Sequence, residues 1–277
     1  MLRIAIQAKG RLNEESIGLL AEAGVSIEDS KRKLLARSDG FPLEVLYLRD
    51  DDIPQAVSMG VADLGVVGLN EVEEKGFDVE IVHRLGFGKC RLSLAVPKTE
   101  PYDGLSYFEG KRVATSYPVI LSRFFREKGI AAEIHEIAGS VEIAPSVGMA
   151  DAIFDIVSSG GTLVTNGLKE VEQVLFSEAV LIGGRALSDD KRQILSQLLF
   201  RIEAVERSRG LKYVLMNLPH AKIPEAVRIL PGMKSPTILP LAQEGWSSMH
   251  VVINERELWS KIEQLKAIGA EDILVLS

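Results

Sequence analysis

Cysteine is almost missing from this 277-residue chain. Cys90 stands alone, so no internal disulfide can form, and a reducing, cytoplasmic setting is expected. Aromatic residues make up only 6% of the sequence, and no run approaches the roughly 20 apolar residues that a membrane-spanning helix needs. An excess of basic residues is missing too. The formal net charge is −7, which argues against a general binder of nucleic acid. Histidine is sparse: His83, His135, His220 and His250 show no metal-ligand spacing and read as structural or exposed. No internal repeat or low-complexity segment is visible. The opening run Met1–Gln7 meets Lys9 and Gly10 too early for the apolar region of a signal peptide, and reads as a strand.

What is present is the make-up of an ordinary globular protein, 46% apolar and 26% charged. A chain of this length is comfortable for two or three domains, and it buries a sizeable core without a disulfide or metal staple. The acidic balance sets one constraint. If the ligands are polyanions, the positive groups must be gathered in one cleft.

Apolar runs of strand length alternate with segments of helical period, which predicts α/β architecture with largely parallel sheets. Arg3–Ala8 reads as a strand, after which Leu12, Ile17, Leu19, Leu20 and Ala23 share a helix face that Gly24 ends. Asp50-Asp51-Asp52-Ile53-Pro54 reads as a helix start, with acids at the positive end and proline in the first turn. Those aspartates are assigned to capping and a hinge ahead of a metal role. That helix stops near Gly60, and Ala62–Gly68 and Arg91–Val96 read as buried strands. A second unit follows, with a strand at Lys111–Thr115 and a helix whose inward face holds Ile120, Leu121, Phe124 and Phe125 before Gly129. Ala132–Ile137 reads as a strand, Ser140 as the cap of a helix through Gly148, and Asp151–Val157 as the next strand. Glu178–Ile182 reads as the return strand to the first unit. Two α/β lobes joined by crossing strands would look like a bilobal periplasmic-binding-protein fold.

From about Leu211 the pattern becomes β-α-β-β-α-β: Lys212–Leu218, Pro224–Leu230, Thr237–Leu241, Met249–Ile253, the Leu258-Ile262-Leu265 helix, and Asp272–Leu276. That is the ferredoxin-like split motif. Asp189–Arg209 reads as the connecting helix. The expected division is therefore residues 1–90 with 179–209 as one lobe, 91–178 as the second, and 210–277 as a separate small domain.

The most informative segment is Asp151-Ala-Ile-Phe-Asp155-Ile-Val-Ser158-Ser159-Gly160-Gly161-Thr162-Leu163. An apolar strand ends in small hydroxylated residues and two glycines before a helix. Glycine lets the backbone approach a phosphate closely, and exposed N–H groups with the Ser158, Ser159 and Thr162 hydroxyls can donate to its oxygens. Asp155 has the place that a carboxylate for a ribose diol or a Mg²⁺ shell requires. An ordinary Gly-rich turn between strand and helix competes with this reading. Lys9 and Arg11 flank Gly10 at the ligand-facing end of the first strand and supply the gathered positive charge; two solvated loop side chains are the alternative. Arg91 is read as a ligand group near the hinge, with Cys90 as a small buried neighbour. Thr115, Ser116 and Tyr117 precede a helix start where a second phosphate can bind, or where an N-cap with a packed tyrosine suffices. Glu142 faces a similar choice between a nucleotide contact and a surface position.

Taken together, Arg3–Leu12, Arg49–Pro54, Ala62–Gly68, Cys90–Ala95, Ala114–Pro118, Gly139–Pro145, the 155–163 loop and Ser235–Leu241 span nearly the whole chain in order. The ordered set resembles the ATP phosphoribosyltransferase family, and the loop is similar to the phosphoribosyl pyrophosphate (PRPP) loop of phosphoribosyltransferases. The C-terminal module resembles the ferredoxin-like, ACT-like regulatory domain of the family's long form. The resemblance implies a bilobal periplasmic-binding-protein-like catalytic part. It also implies a reaction in which N1 of adenine in ATP displaces pyrophosphate from C1 of PRPP with inversion, Mg²⁺ being required. This opens histidine biosynthesis under feedback by L-histidine. Adenine itself is the nucleophile, so the lack of an activated Ser-His pair is consistent.

On this resemblance Asp155, Lys9 and Arg11 are the expected catalytic residues. PRPP would meet Asp155, Ser158, Ser159, Gly160, Gly161, Thr162 and Leu163. The nucleotide would meet Lys9, Gly10, Arg11, Arg91, Thr115, Ser116 and Glu142, and L-histidine would meet Asn217, Met233 and Thr237 between neighbouring modules. A homo-oligomer, dimers building a hexamer, is expected, with neither nucleic acid nor membrane as partner. The rival reading is a cytoplasmic bilobal solute-binding or sensor protein that performs no chemistry.

Overall fold

A computed structural model describes residues 1–27 and 34–276. They form two units, Met1–Ile202 and Glu203–Ser277. The first unit opens with β1 (Leu2–Gln7), α1 (Arg11–Glu22), β2 (Ser26–Ile27), β3 (Leu35–Asp39) and β4 (Leu43–Leu48). It continues through α2 (Ile53–Ser58), β5 (Leu64–Gly68), α3 (Leu69–Lys75) and β6 (Glu80–Arg84). With β12 (Ala179–Gly183) these strands make a seven-stranded sheet, ordered β2-β3-β4-β1-β5-β12-β6. β1 runs parallel to β4 and β5, while β12 returns antiparallel between β5 and β6. Leu2, Ile4, Ala5 and Ile6 are all buried, as expected of a strand covered on both faces, and this is why β1 is largely apolar, with Arg3 and Gln7 as its polar positions. Residue 65 has to be glycine: a Cβ there would lie 2.5 Å from Ile53 Cγ2, where α2 crosses β5.

The second sheet contains β7 (Cys90–Pro97), β8 (Arg112–Thr115), β9 (Glu133–Glu136), β10 (Ala152–Val157) and β11 (Leu168–Ser177), in the order β11-β7-β10-β8-β9. α4 (Pro118–Lys128) packs Ile120, Leu121 and Phe125 against Leu92, Phe108 and Phe154 on one face. Val141, Ala144 and Leu163 cover Ala95, Ile153 and Val157 on the other. The chain passes between the sheets twice, and the two crossings are tied by Leu85 N–H to Ala179 O (3.0 Å) and Ala179 N–H to Phe87 O (2.9 Å). α6 (Asp189–Ser208) then carries the chain out of this unit.

The sheets are mixed and not largely parallel, because β12, β7 and β11 run antiparallel to their neighbours. One expected helix is missing, and one strand is found that the sequence reading lacked. Ser140 does not cap a helix through Gly148; only a single 3₁₀ turn, Val141–Ile143, forms. Ser140 is held at φ 51° with no capping bond from its side chain, and Pro145 has no N–H to continue a helical ladder. The long strand β11 was not visible in the sequence because register shifts at Glu170/Glu172 and Gln173/Leu175 break its period-two alternation.

The second unit contains β13 (Leu211–Pro219), α7 (Ile223–Ile229), β14 (Thr237–Pro240), β15 (Trp246–Asn254), α8 (Glu255–Ala267) and β16 (Glu271–Leu276). The all-antiparallel order β14-β15-β13-β16 is that of a split β-α-β fold. Its own core joins Val214, Met216, Leu218, Leu230, Met249, Val251, Leu258 and Leu265.

Candidate active site

Two adjoining depressions mark the first unit. The larger, about 350 Å³, is lined by Gly10, Arg11 and Leu12 at the start of α1, by Asn70 and Glu71 of α3, and by Lys89, Tyr117, Ile156 and Ser158 among others. The smaller, about 90 Å³, is enclosed by Glu142, Asp155 and the loop Ser158, Ser159, Gly160, Thr162 and Leu163. Ile156 and Ser158 line both, so the two adjoin. The fold thus gathers most of the expected PRPP residues with Glu142, and brings Gly10 and Arg11 to the neighbouring space.

The small pocket begins where β10 ends. Gly160 sits at φ 81°, a left-handed conformation that suits glycine, and lets α5 (Gly161–Thr165) start at once. Among the described residues the Ser158 and Thr162 hydroxyls make no hydrogen bond, and Ser159 Oγ only accepts a long one from Gly161 N–H (3.5 Å). These groups are available to a ligand. Leu163 is buried beneath them and anchors the turn. Burial pushes the Asp155 carboxyl up to about 6, although Ile156 N–H donates to it at 2.8 Å; the negative neighbour Glu142 adds to the rise. A carboxyl group so perturbed beside a loop of free donors is what a chemical site looks like.

Arg91 behaves differently from expectation. Its Nε and Nη2 grip both Glu170 oxygens (2.6 and 2.5 Å), and its Nη1 donates to Ser158 O at 3.1 Å. The ion pair holds the Arg91 guanidinium up and the Glu170 carboxyl down from their ordinary values. This arginine is bound to the loop's own scaffold instead of standing free for a nucleotide.

The start of α4 also departs from the phosphate reading. Thr115 has no exposed surface, and its Oγ1 accepts from Tyr117 N–H at 2.8 Å. Ser116 Oγ donates to Ile137 O at 2.6 Å. Pro118 has no N–H, and the next two donors, Val119 and Ile120, both give to the Glu74 carboxylate of α3 at 2.9 Å. The helix start is thus capped by Glu74 of α3, and the Thr115 and Ser116 hydroxyls are bonded within the chain. Beside it, Tyr117 Oη donates to Glu71 (3.0 Å) and accepts from Asn70 Nδ2 (3.2 Å); burial raises both the Glu71 carboxyl and the Tyr117 phenol. The acid-rich stretch Asn70–Glu74 carried no sequence signal of this role, since its partners lie more than 40 residues away.

α1 starts in the opposite manner. Gly10, at φ 90°, precedes it with no side-chain cap. Arg11 is exposed and paired through Nε with Glu15 (2.9 Å), whose other oxygen accepts from Gly88 N–H (3.1 Å) at the crossing. Lys9 is exposed beside them but does not line the larger depression. In the second unit, Asn217 Nδ2 donates to Asp272 (3.1 Å), Met233 is exposed, and Thr237 opens β14. β15 lies between the strands of Asn217 and Thr237, so the two are roughly 10 Å apart across the sheet. Among the described residues no cluster of three or more His, Cys, Asp or Glu is placed to hold a metal ion. The facing carboxyl groups Asp155 and Glu142 fit only a hard cation held mostly by substrate oxygens and water, as Mg²⁺ commonly is.

A two-lobed α/β fold that sets a perturbed carboxyl and an open glycine-hydroxyl loop in a cleft defines a class: proteins that bind small ligands between two α/β lobes. The family described as HisG, ATP phosphoribosyltransferase, matches residues 49–204, and HisG, C-terminal domain, matches residues 208–277. ATP phosphoribosyltransferases of Bacteroides thetaiotaomicron and Cytophaga hutchinsonii are 61% and 52% identical to all of this chain, over 98% and 96% of their own lengths. Among solved structures, the ATP phosphoribosyl transferase (HisG:HisZ) complex from Thermotoga maritima matches 75% of this chain and 99% of its own at 29% identity, with TM-score 0.65. A substrate-binding protein of an amino-acid ABC transporter shares the fold alone, at TM-score 0.50 and 12% identity over 75% of this chain and 93% of its own. The chain belongs to the ATP phosphoribosyltransferase family, and it is an enzyme of the phosphoribosyltransferase class. Enzymes of that class are generally metal-dependent. No helix among the described residues is long and apolar enough to cross a membrane.

Proposed function

We propose that this protein joins ATP to PRPP, N1 of adenine displacing pyrophosphate from C1 with inversion, in the first step of L-histidine synthesis. The observation that carries the reading is the small pocket where Asp155, Glu142 and the Ser158–Leu163 loop converge, next to the larger cleft. The loop's N–H groups with the Ser158, Ser159 and Thr162 hydroxyls hold the phosphate of PRPP, and Gly160 and Gly161 allow the close approach. Asp155 faces the ribose, where its carboxylate supports the positive charge that grows as the bond to pyrophosphate breaks. The nucleotide occupies the larger cleft, where Gly10, Arg11 and the uncapped start of α1 attract its phosphates, with Lys9 exposed just outside that space. Holding two polyanions in contact is the main task of such a site, and no protein nucleophile is needed. Mg²⁺, when bound, neutralises the leaving pyrophosphate, with Asp155 and Glu142 as the carboxyl groups of its outer surroundings.

Purified protein given ATP, PRPP and Mg²⁺ should release pyrophosphate and develop new ultraviolet absorbance. Binding of both ligands without turnover would favour the solute-binding or sensor reading. L-Histidine is the proposed effector, bound in the cytoplasmic enzyme where modules of neighbouring chains meet in a homo-oligomer of dimers and hexamers. Asn217→Ala and Thr237→Ala should weaken inhibition by roughly 5–150-fold, the usual range of allosteric coupling, and leave uninhibited turnover intact. Inhibition curves on both variants check it, with sedimentation for the assembly.

A further inference from the structure

We infer that Glu170 and Arg91 act together as a positioning pair that orients the phosphate loop. Arg91 lies opposite Val157, the last residue of β10 before the loop, and Glu170 stands on the neighbouring edge strand β11. Glu170 fixes the guanidinium with two parallel bonds, a geometry that leaves it one orientation, and Ser93 Oγ donates to the same carboxylate at 2.7 Å. The remaining arm, Nη1, donates to the carbonyl of Ser158. In a trans peptide the C=O and the following N–H point in opposite directions, and the chain has no cis peptide among its described residues. Holding the Ser158 carbonyl toward Arg91 therefore turns the Ser159 N–H away from it. The donor direction of the loop is set from Glu170 on β11, a different strand of the sheet, before any ligand arrives. The lowered Glu170 carboxyl and raised Arg91 guanidinium agree with a pair that stays ionised at neutral pH.

Neither side chain has to touch substrate for this, which distinguishes the pair from Asp155 and Thr162. The inference rests on the loop being the PRPP site. The test measures KM for PRPP and for ATP, with kcat and melting temperature, on full-length Glu170→Gln, Arg91→Lys, the double variant and Thr162→Val. Losing an oriented charged hydrogen bond predicts that each single variant raises KM for PRPP about tenfold and KM for ATP less than about twofold. The double variant should be little worse than either single one, because both act through the same carbonyl. If Thr162→Val impairs PRPP use while Glu170→Gln and Arg91→Lys do not, the pair's role is wrong and the loop reading stands. Equal rises for both substrates, or a lower melting temperature with unchanged KM for PRPP, would likewise reduce the pair to a structural brace. Normal PRPP use in Thr162→Val would remove the loop reading and this inference with it.

Discussion

The start of α4 and the loop before α5 leave the same edge of one sheet, since β8 and β10 run parallel as neighbours. Both are rich in small hydroxylated residues, Thr115-Ser116 in one and Ser158-Ser159 with Thr162 in the other. Their fates differ. At α4 the donors and hydroxyls are consumed internally, by Glu74, by Ile137 O and by Tyr117 N–H. At α5 the Ser158 and Thr162 hydroxyls remain free among the described residues, and a raised carboxyl waits beside them. Composition alone does not make an anion site. What separates the two is whether another part of the chain has already satisfied the donors.

The sharpest way to break this comparison is at the open loop. Asp155→Asn and Thr162→Val should each lower turnover by about 10²–10³, the usual loss for one preorganised group. Asp155→Asn should also stabilise the fold. Its carboxyl rises from an ordinary 3.8 to about 6 on folding, so the ionised form is disfavoured in the native state. That cost is absent below pH 3.8 and complete above about pH 6. Removing the charge should therefore add about 1–3 kcal/mol at pH 7 and little near pH 4. Steady-state kinetics with melting at both pH values checks it; near-normal turnover would make the loop a structural turn.

At the closed start the expected effects reverse. Glu74→Ala leaves one buried and one part-buried N–H group without their acceptor and should cost about 2 kcal/mol, or roughly 4–8 °C in melting temperature, with KM for PRPP unchanged. A large rise in KM for PRPP without loss of stability would show that α4, not α5, meets that substrate. The smallest effect concerns the acid limb. The kcat/KM for PRPP should fall below about pH 6 as Asp155 takes up a proton. Glu142→Gln removes a negative neighbour and should move that limb to lower pH by only a fraction of a unit, because burial is the larger cause. A pH–rate profile on both proteins measures it, and an unmoved limb would place Glu142 outside Asp155's surroundings.

Much of this was legible in advance wherever local rules govern. The apolar run of β10, the glycines after it and the helix face of α4 follow from burial on a period of two or 3.6 and from backbone freedom at Gly160. β11 was not legible, because its bulges shift the side-chain alternation. The expected helix after Ser140 is absent because a capping residue type is present but the chain there holds Ser140 left-handed and places Pro145 in the way. The Arg91–Glu170 pair was not legible either, since nothing in Cys90–Ala95 reveals a partner 79 residues on.

By itself the sequence determined the alternation of strands and helices, the glycine turns at Gly10 and Gly160, and the β-α-β-β-α-β order of the second unit. These depend on propensities and periods that act over a few residues. Only the tertiary structure decided which hydroxyls stay free, that Glu74 closes α4, that Glu170 holds Arg91 against Ser158, and that Asp155 is raised to about 6. Hydrogen-bond satisfaction and desolvation depend on what the fold brings close, and here those neighbours come from elsewhere in the chain.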